Sequence, residues 1–93
     1  MREWPGPGTL VFDGPVYLSV DLDVLDPSCA PGVSHHEPGG ATTREVLALV
    51  QGLGANLVGA DIVELNPSRD VQGVTAMAAA KLAKEILAKM LET

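Results

Sequence analysis

The feature that most limits what this chain can fold into is an apolar run, VYLSVDLDVL, at residues 16–25. Its length and its content of valine and leucine favour a β-strand buried on both faces, as in a parallel sheet. Within the run Ser19, Asp21 and Asp23 alternate with apolar residues. Alternation predicts that the three polar side chains share one face, successive ones about 6.6 Å apart. The chain is therefore expected to hold two carboxylates beside an apolar core.

The segments around this strand predict the first half of an α/β unit. Residues 1–15 contain three prolines and three glycines and are expected to be irregular. The stretch 26–40 also contains three prolines and three glycines and is expected to be a loop. Thr42 and Glu45 have the spacing of a capping box, which predicts a helix that ends near Leu53.

The second half of the chain predicts one more strand, at 56–65, and one more helix, at 74–91. The spacing in this helix predicts a buried side and a polar stripe. The buried side would hold Met77, Ala78, Leu82, Ile86 and Met90, and the polar stripe Lys81, Lys84, Glu85, Lys89 and Glu92. The order strand, helix, strand implies a right-handed crossover between parallel strands. Two parallel strands do not form a stable sheet alone, so partner strands from elsewhere are expected. The hydrophobic content of 46% likewise fits part of a larger core better than a small independent domain.

Composition excludes several classes of partner. The net charge is −6 and no cluster of lysine and arginine is present, which argues against nucleic acid and anionic membranes. No apolar run approaches the ~18 residues of a membrane span, and the first residues do not resemble a signal peptide. The single cysteine, Cys29, rules out an internal disulfide. We therefore expect an intracellular protein, cytoplasmic or mitochondrial.

The carboxylates at the end of the first strand indicate a bound cation. An unpaired buried charge is costly, and no basic residue lies near Asp21 and Asp23 in the sequence. Parallel α/β proteins place ligands at the carboxyl ends of strands, where both acids fall. A hard divalent cation held by carboxylate oxygens is the natural solution. The structural alternative is that the acids pair with arginines elsewhere or cap the following loop.

Other polar residues allow a functional or a structural role. Glu64 lies with Asp61 near the end of the second strand, where a carboxylate could hold the planar donor fork of a guanidinium group. It could equally be a buried acid bonded to backbone amides. His35 and His36 lack metal-ligand spacing, so we expect His35 either beside a substrate or in a surface loop. Asp26 precedes a proline and is expected to form a turn.

Several motifs, in order, resemble signatures of the arginase/agmatinase ureohydrolase family: SVDLDVLDP at 19–27, APG at 30–32, EPGG at 37–40 and GADIVELNP at 59–67. The likeness covers about residues 16–91, and the stretch 30–40 is most similar to plant-type arginases. It implies an arginase-like three-layer α/β fold with a parallel sheet. Residues 16–93 would be the C-terminal βαβα portion of a ureohydrolase domain, preceded by the irregular entry segment 1–15.

The resemblance also implies a function. Asp21 would bridge two manganese ions, Asp23 would bind one of them, and Glu64 would anchor the guanidinium group of the substrate. The complete protein, expected to be a homo-oligomer, would hydrolyse L-arginine to urea and L-ornithine with two Mn²⁺ in each active site.

The family pattern is incomplete in this chain. The other metal ligands, one histidine and a DAHxD-type segment, and the proton-shuttling histidine lie upstream in the family, and nothing here matches them. The isolated chain is therefore expected to bind manganese weakly, to contain no catalytic acid or base, and to release no urea.

Three alternatives remain open. The first is an agmatinase, which converts agmatine to urea and putrescine. The second is a phosphatase of the haloacid-dehalogenase type, with Asp21 as nucleophile, Asp23 as acid and magnesium as cofactor. The third is a non-enzymatic assembly module or a catalytically incomplete relic.

Overall fold

The computed structural model describes residues 10–36 and 38–91, so the predicted irregular segment is described only from residue 10 onward. The described residues form two parallel strands and two helices in the predicted βαβα order. These are β1 (Val11–Asp21), α1 (Thr43–Gln51), β2 (Gly54–Val63) and α2 (Val74–Leu91). Two short 3-10 turns follow the strands, at Leu22–Val24 and Pro67–Arg69.

β1 starts earlier than predicted. Residues 11–15, expected to be irregular, belong to the strand: Val11 lies opposite Gly54 of β2, and Pro15 lies opposite Asn56. The register shifts between these two pairs. An edge or a bulge is where a strand tolerates glycine and proline, so the sequence of this stretch does not prevent pairing.

β1 also ends earlier than predicted, at Asp21. The Asp23 N–H donates a hydrogen bond of 2.9 Å to Asp21 Oδ1, and this side chain caps the turn Leu22–Val24. Local acceptors of this kind offer the backbone an alternative to the sheet ladder. Asp23 therefore lies on the turn, and the prediction that it shares a strand face with Ser19 and Asp21 is wrong.

One face of β1 is covered in the part of the chain that the structure describes. Val20 is buried and Leu18 is half-buried, and both pack on the core that contains the helices. On the opposite face Ser19 and Asp21 are exposed and Tyr17 keeps 61% of its surface in solvent. The expected burial on both faces is thus found on one face only.

The helix that connects the two strands, α1, begins with the predicted capping box. The Glu45 N–H donates to Thr42 Oγ1 at 3.1 Å, and the Thr42 N–H donates to Glu45 Oε1 at 2.9 Å. α1 ends at Gln51 with Gly52 as its cap, and β2 follows almost directly. β2 pairs with β1 in parallel, as predicted, although it begins and ends slightly earlier along the chain.

A single hydrophobic core joins both strands and both helices. Its buried members include Val20, Leu22, Val46, Leu47, Val50, Leu57, Leu82 and Ile86. Because α2 packs against both α1 and β2, the core fixes where the ends of the two strands lie relative to the helices.

α2 carries the predicted apolar and polar stripes with one exception. Leu82 and Ile86 are buried, and Lys81 pairs with Glu85 one turn later at 2.7 Å. Met77, expected on the buried side, is 64% exposed. Among the described residues, no helix has the length and apolar character needed to cross a bilayer.

Replacement of Leu82 by alanine tests this packing. Leu82 has 0% of its surface exposed, so we expect Leu82→Ala to lower the free energy of unfolding by about 2–5 kcal/mol. The control is Met77→Ala on the same helix, expected to change it by less than about 0.5 kcal/mol. Urea denaturation followed by circular dichroism measures both. Equal losses in the two variants would contradict the described packing of α2.

Candidate metal and substrate site

Three side chains converge beyond the carboxyl ends of the two strands. Asp23 comes from the turn after β1, His35 from the loop that follows, and Glu64 from the position after β2. One ligand atom from each lies within 4.8 Å of the other two. For adjacent strands the sequence predicts that Glu64 faces the same crevice as Asp21 and Asp23. The structure brings Asp23 and Glu64 together, adds His35 and leaves Asp21 outside this group.

Asp23 has the surroundings expected of a cation ligand. Its Oδ1 atom is buried and has no hydrogen-bond partner among the described residues. Neither Asp23 nor Glu64 forms an ion pair with a lysine or arginine among the described residues. The ion pair found there joins Lys81 and Glu85. A buried carboxylate oxygen without a partner is costly unless a cation or a donor meets it. These residues therefore fit a divalent metal ion.

Asp21 is placed differently. It is exposed at the end of β1, and its Oδ1 atom accepts the Asp23 N–H that begins the 3-10 turn. Capping the following segment was the structural alternative for these acids, and for Asp21 it is observed. Asp21 does not belong to the group formed by Asp23, His35 and Glu64. Its predicted role as a metal ligand remains a prediction.

The loop that carries His35 is closed by Asp26. The Asp26 carboxylate accepts hydrogen bonds from the Ser28 N–H at 2.9 Å, from the Ser28 hydroxyl, and from the Gly39 N–H at 2.9 Å. The Ser28 hydroxyl, followed by the Ser28 and Gly39 amides, lowers the pKa of Asp26 to about 2. The predicted turn role of Asp26 is therefore confirmed, and the same residue also spans the whole loop.

Backbone bonds complete the closure. The Asp26 N–H donates to the Ala41 carbonyl at 2.8 Å, and the Ala41 N–H donates to the Val24 carbonyl at 2.9 Å. A Cβ atom on Gly40 would lie 2.8 Å from both the Asp26 nitrogen and the Val24 oxygen. Gly40 is thus required by the close approach of two backbone segments.

A second set of contacts joins this loop to the end of β2. The Asn66 N–H donates to the Gly32 carbonyl at 2.6 Å, and Asn66 Nδ2 donates to Ser34 Oγ at 2.9 Å. Since Asn66 follows Glu64 closely, these bonds hold His35 near Glu64. His36 points elsewhere, with its Nε2 atom 2.6 Å from the Pro31 carbonyl.

The loop is also tied to α2. The Gly32 N–H donates to the buried Thr75 Oγ1 at 2.7 Å. Asp70 accepts from the N–H groups of Thr75 at 2.8 Å and Ala76 at 3.0 Å, so it caps the helix. Sequence reasoning missed Asn66, Asp70 and Thr75 as positioning residues. The Asn-Pro turn signal at residue 66 was visible, but its long-range partners were not.

Glu64 reaches the site through an unusual backbone conformation. Its φ angle is 74°, in the left-handed region that residues with a side chain rarely adopt. This conformation ends β2 after Val63. Non-glycine residues of this kind are concentrated at functional sites, where the surrounding structure holds them.

Asp61 lies on the uncovered sheet face and not in the group. It accepts hydrogen bonds from the Tyr17 hydroxyl at 3.0 Å and from Ser19 Oγ at 2.5 Å. Ser19 is its register partner across the two strands. The hydrogen bond to Asp61, with a smaller contribution from its charge, raises the pKa of Tyr17. Asp61 therefore stabilises the register that aligns the two strand ends.

The sequence of the chain matches a protein-family model described as the Arginase family over residues 9–88. The chain belongs to the arginase family. Its fold is the corresponding part of the arginase-like α/β fold, which agrees with the predicted fold class.

Individual relatives include both arginases and agmatinases. The chain is 58% identical over 76 residues to the mitochondrial arginase of Medicago truncatula, covering 81% of this chain and 22% of that protein. It is 59% identical over 76 residues to the mitochondrial arginase 1 of Arabidopsis thaliana, with the same coverage. It is 48% identical over 81 residues to an agmatinase of Chromobacterium violaceum, covering 86% of this chain and 25% of that protein. The chain therefore spans about a quarter or less of these arginase-family relatives.

Solved structures give the same family. The arginase from Medicago truncatula superposes with a TM-score of 0.77 at 57% identity, covering 80% of this chain and 24% of that one. An arginase-like protein of T. brucei, a triple mutant bound with Mn²⁺, superposes with a TM-score of 0.81 at 38% identity. The match covers 88% of this chain and 29% of that one. Manganese is characteristic of the arginase family, to which this chain belongs.

Replacement of Gly40 by alanine tests the loop closure. The added Cβ would meet two backbone atoms at 2.8 Å, so we expect Gly40→Ala to lower the free energy of unfolding by about 1–3 kcal/mol. Gly14→Ala is the matched control, because nothing lies within 4 Å of a Cβ built there. Chemical denaturation compares the two. Tolerance of Gly40→Ala would contradict the described contact between the Asp26 and Ala41 segments.

Replacement of Asp61 by asparagine tests the bond across the strands. The chain has one tyrosine, so tyrosinate absorbance reports Tyr17 alone. Asp61 raises the pKa of Tyr17 by favouring the protonated hydroxyl. In Asp61→Asn the pKa is expected to fall toward its ordinary value, so that Tyr17 ionises at lower pH. Asp13→Asn removes the same charge elsewhere on β1 and is expected to leave the titration unchanged. An unchanged titration in Asp61→Asn would show that this hydrogen bond does not form.

Proposed function

We propose that this chain forms part of the active site of a manganese-dependent ureohydrolase that converts L-arginine to urea and L-ornithine. Residues 16–93 would be the C-terminal part of its ureohydrolase domain. The observation that carries the proposal is the meeting of Asp23, with its unpartnered buried oxygen, and Glu64 at the carboxyl ends of parallel strands. The identity of 58–59% to two plant arginases supports arginine as the substrate.

In the complete protein Asp21 and Asp23 would be ligands of a two-manganese centre. When bound there, the metal would supply Lewis-acid chemistry, lowering the pKa of a water molecule and offsetting negative charge. Asp21 would join these ligands from the strand end, and its Oδ1 atom, which accepts the Asp23 N–H, would also orient Asp23. The remaining ligands would come from residues outside these 93, which is why the chain alone is expected to be inactive.

Glu64 and His35 would receive the substrate. A guanidinium group offers several N–H donors in one plane and carries a positive charge, which a carboxylate matches in both respects. Glu64 would anchor this group beside Asp23, and a ring nitrogen of His35 would accept a further N–H. The left-handed backbone at residue 64 and the bonds of Asn66 to the His35 loop hold both acceptors in place before substrate binds.

An agmatinase is the second candidate, because an agmatinase is 48% identical over 81 residues. Agmatine lacks the carboxylate of arginine, and the guanidinium-binding residues described above would serve either substrate. Comparison of arginine and agmatine turnover by the complete protein distinguishes the two.

For location we propose the cytoplasm or mitochondria, since the Medicago and Arabidopsis arginases are named mitochondrial. We also propose that the complete protein is a homo-oligomer.

A segment exchange tests the proposal. Residues 16–91 replace the aligned segment of the Medicago arginase, and urea release from arginine is measured with manganese. We expect an active chimera. Glu64→Gln in it should lower kcat/KM by roughly 10- to 100-fold, because a hydrogen bond to a charged group is worth about 1.5–3 kcal/mol.

The controls separate the site from the rest of the segment. Lys84→Ala changes an exposed residue of α2 and is expected to keep the activity of the chimera. The 93-residue chain by itself is expected to release no urea. A chimera that folds, binds manganese and remains inactive would overturn the proposal, as would full activity in Glu64→Gln.

A further inference from the structure

The root of the loop that carries His35 is buried, although its tip is exposed. Ala30 and Val33 have 0% and 1% of their surface in solvent, and Gly32 between them is also buried. His35, two residues further on, is exposed. The place where His35 leaves the core is therefore set by the backbone of this buried stretch, and so by the contacts that hold Gly32.

Gly32 is held by the start of α2. Its N–H donates a hydrogen bond of 2.7 Å to Thr75 Oγ1. Among the described residues Thr75 is the one polar side chain that is buried, with 0% of its surface exposed. A Cβ atom on Gly32 would lie 2.8 Å from Asp70 Cβ and 2.9 Å from Thr75 Cβ, so the loop backbone packs directly on both side chains. A buried N–H that loses its acceptor is costly, so loss of the Thr75 hydroxyl should displace Gly32.

Asp70 in turn holds Thr75. Its Oδ1 atom accepts the Thr75 N–H at 2.8 Å, and its Oδ2 atom accepts the Ala76 N–H at 3.0 Å. Burial acts to raise the pKa of Asp70, but hydrogen bonds from the amides of Thr75, Ala76 and Val71 and from the Thr75 side chain lower it overall. The Asp70 carboxylate is therefore ionised near neutral pH, and it keeps the Thr75 hydroxyl in place beneath Gly32.

The same glycine connects α2 to the substrate side of the site. The Gly32 carbonyl accepts the Asn66 N–H at 2.6 Å, two residues after Glu64. Thr75, Gly32 and Asn66 thus form a chain of hydrogen bonds from the helix to the end of β2. This chain reaches both residues proposed to receive the guanidinium group, His35 and Glu64.

The metal side of the site has a different support. The Asp23 N–H donates to Asp21 Oδ1 at 2.9 Å, at the end of β1. This bond lies within residues 21–23 and involves neither the loop of His35 nor α2. A substitution at the start of α2 should therefore affect the two sides of the site differently.

We infer that Thr75 is a positioning residue for the substrate, which sets the affinity for the guanidinium group from the start of α2 and takes no part in metal binding. This inference rests on the proposed function, which assigns the guanidinium group to Glu64 and His35. Without the Thr75 hydroxyl, Gly32 loses its anchor and the two acceptors lose their fixed separation, while Asp23 keeps its support. Binding of substrate is then weakened, and turnover of bound substrate is kept.

Kinetics of the complete protein with manganese and arginine or agmatine, whichever it hydrolyses, test this role. Thr75→Val keeps the shape of the side chain and removes the hydroxyl. We expect KM to rise roughly 2- to 10-fold, the effect of one lost hydrogen bond, with kcat and manganese affinity unchanged. Thr75→Ser keeps the hydroxyl and should keep the parent KM. Leu82→Ala loosens the packing of the same helix without removing the bond to Gly32, and it should also keep the parent KM.

Amide hydrogen exchange gives a second measurement, which does not depend on activity. Exchange in residues 30–36 should become faster relative to exchange in α2 when Thr75 is replaced by valine, because Gly32 is no longer held. Thr75→Ser should retain the slow exchange of the parent.

Several outcomes would overturn this role of Thr75. An unchanged KM in Thr75→Val does so, as does an equal rise of KM in Thr75→Ser or Leu82→Ala. A loss of kcat or of manganese affinity as large as the change in KM, or unchanged exchange in residues 30–36, does so as well. If the parent protein releases no urea from either substrate, the proposed function fails and this role with it. An active parent whose Thr75→Val variant behaves identically overturns the role of Thr75 alone.

Discussion

The parallel pairing of β1 with β2 is the constraint on which the site depends. Parallel strands end at the same edge of a sheet, and the register places Asp21 opposite Val63. The residues that follow each strand, Asp23 and Glu64, are therefore brought together from positions far apart in the sequence. The bond between Ser19 and Asp61 reinforces this register on the uncovered face, and the shared core of α1 and α2 reinforces it on the other.

The position of His35 depends on a different kind of interaction. No regular element carries this residue, and its loop is held by side-chain contacts of Asp26, Asn66 and Thr75. Each contact satisfies a backbone or side-chain group that the loop would otherwise leave to solvent. The loop is therefore a structured part of the site, and its closure links β1, the start of α1 and the start of α2.

Sequence patterns predicted the elements that local chemistry determines. The capping box of Thr42 and Glu45 and the long period of α2 identified both helices, and the family motifs identified the acids. The end of β1 was missed because the Asp21 side chain accepts the Asp23 N–H and starts a 3-10 turn. The apolar sequence pattern, in contrast, continues to Leu25. The exposure of Met77 was missed because the spacing of apolar residues in α2 does not determine how wide its buried side is. His35 could not be placed, since the bonds from Asn66 and Thr75 to its loop join residues more than thirty positions apart.

The left-handed backbone of Glu64 sets the stability of the chain against the substrate-binding role proposed for this residue. Glycine or asparagine would adopt a φ of 74° more easily than a glutamate does. A change to either would relax the peptide chain and delete the carboxylate in the same step. Under that proposed role, screens that reward thermal tolerance would erase this acid, whereas screens for turnover would retain it. Residue 64 is thus a position where selection for robustness and selection for chemistry demand different amino acids.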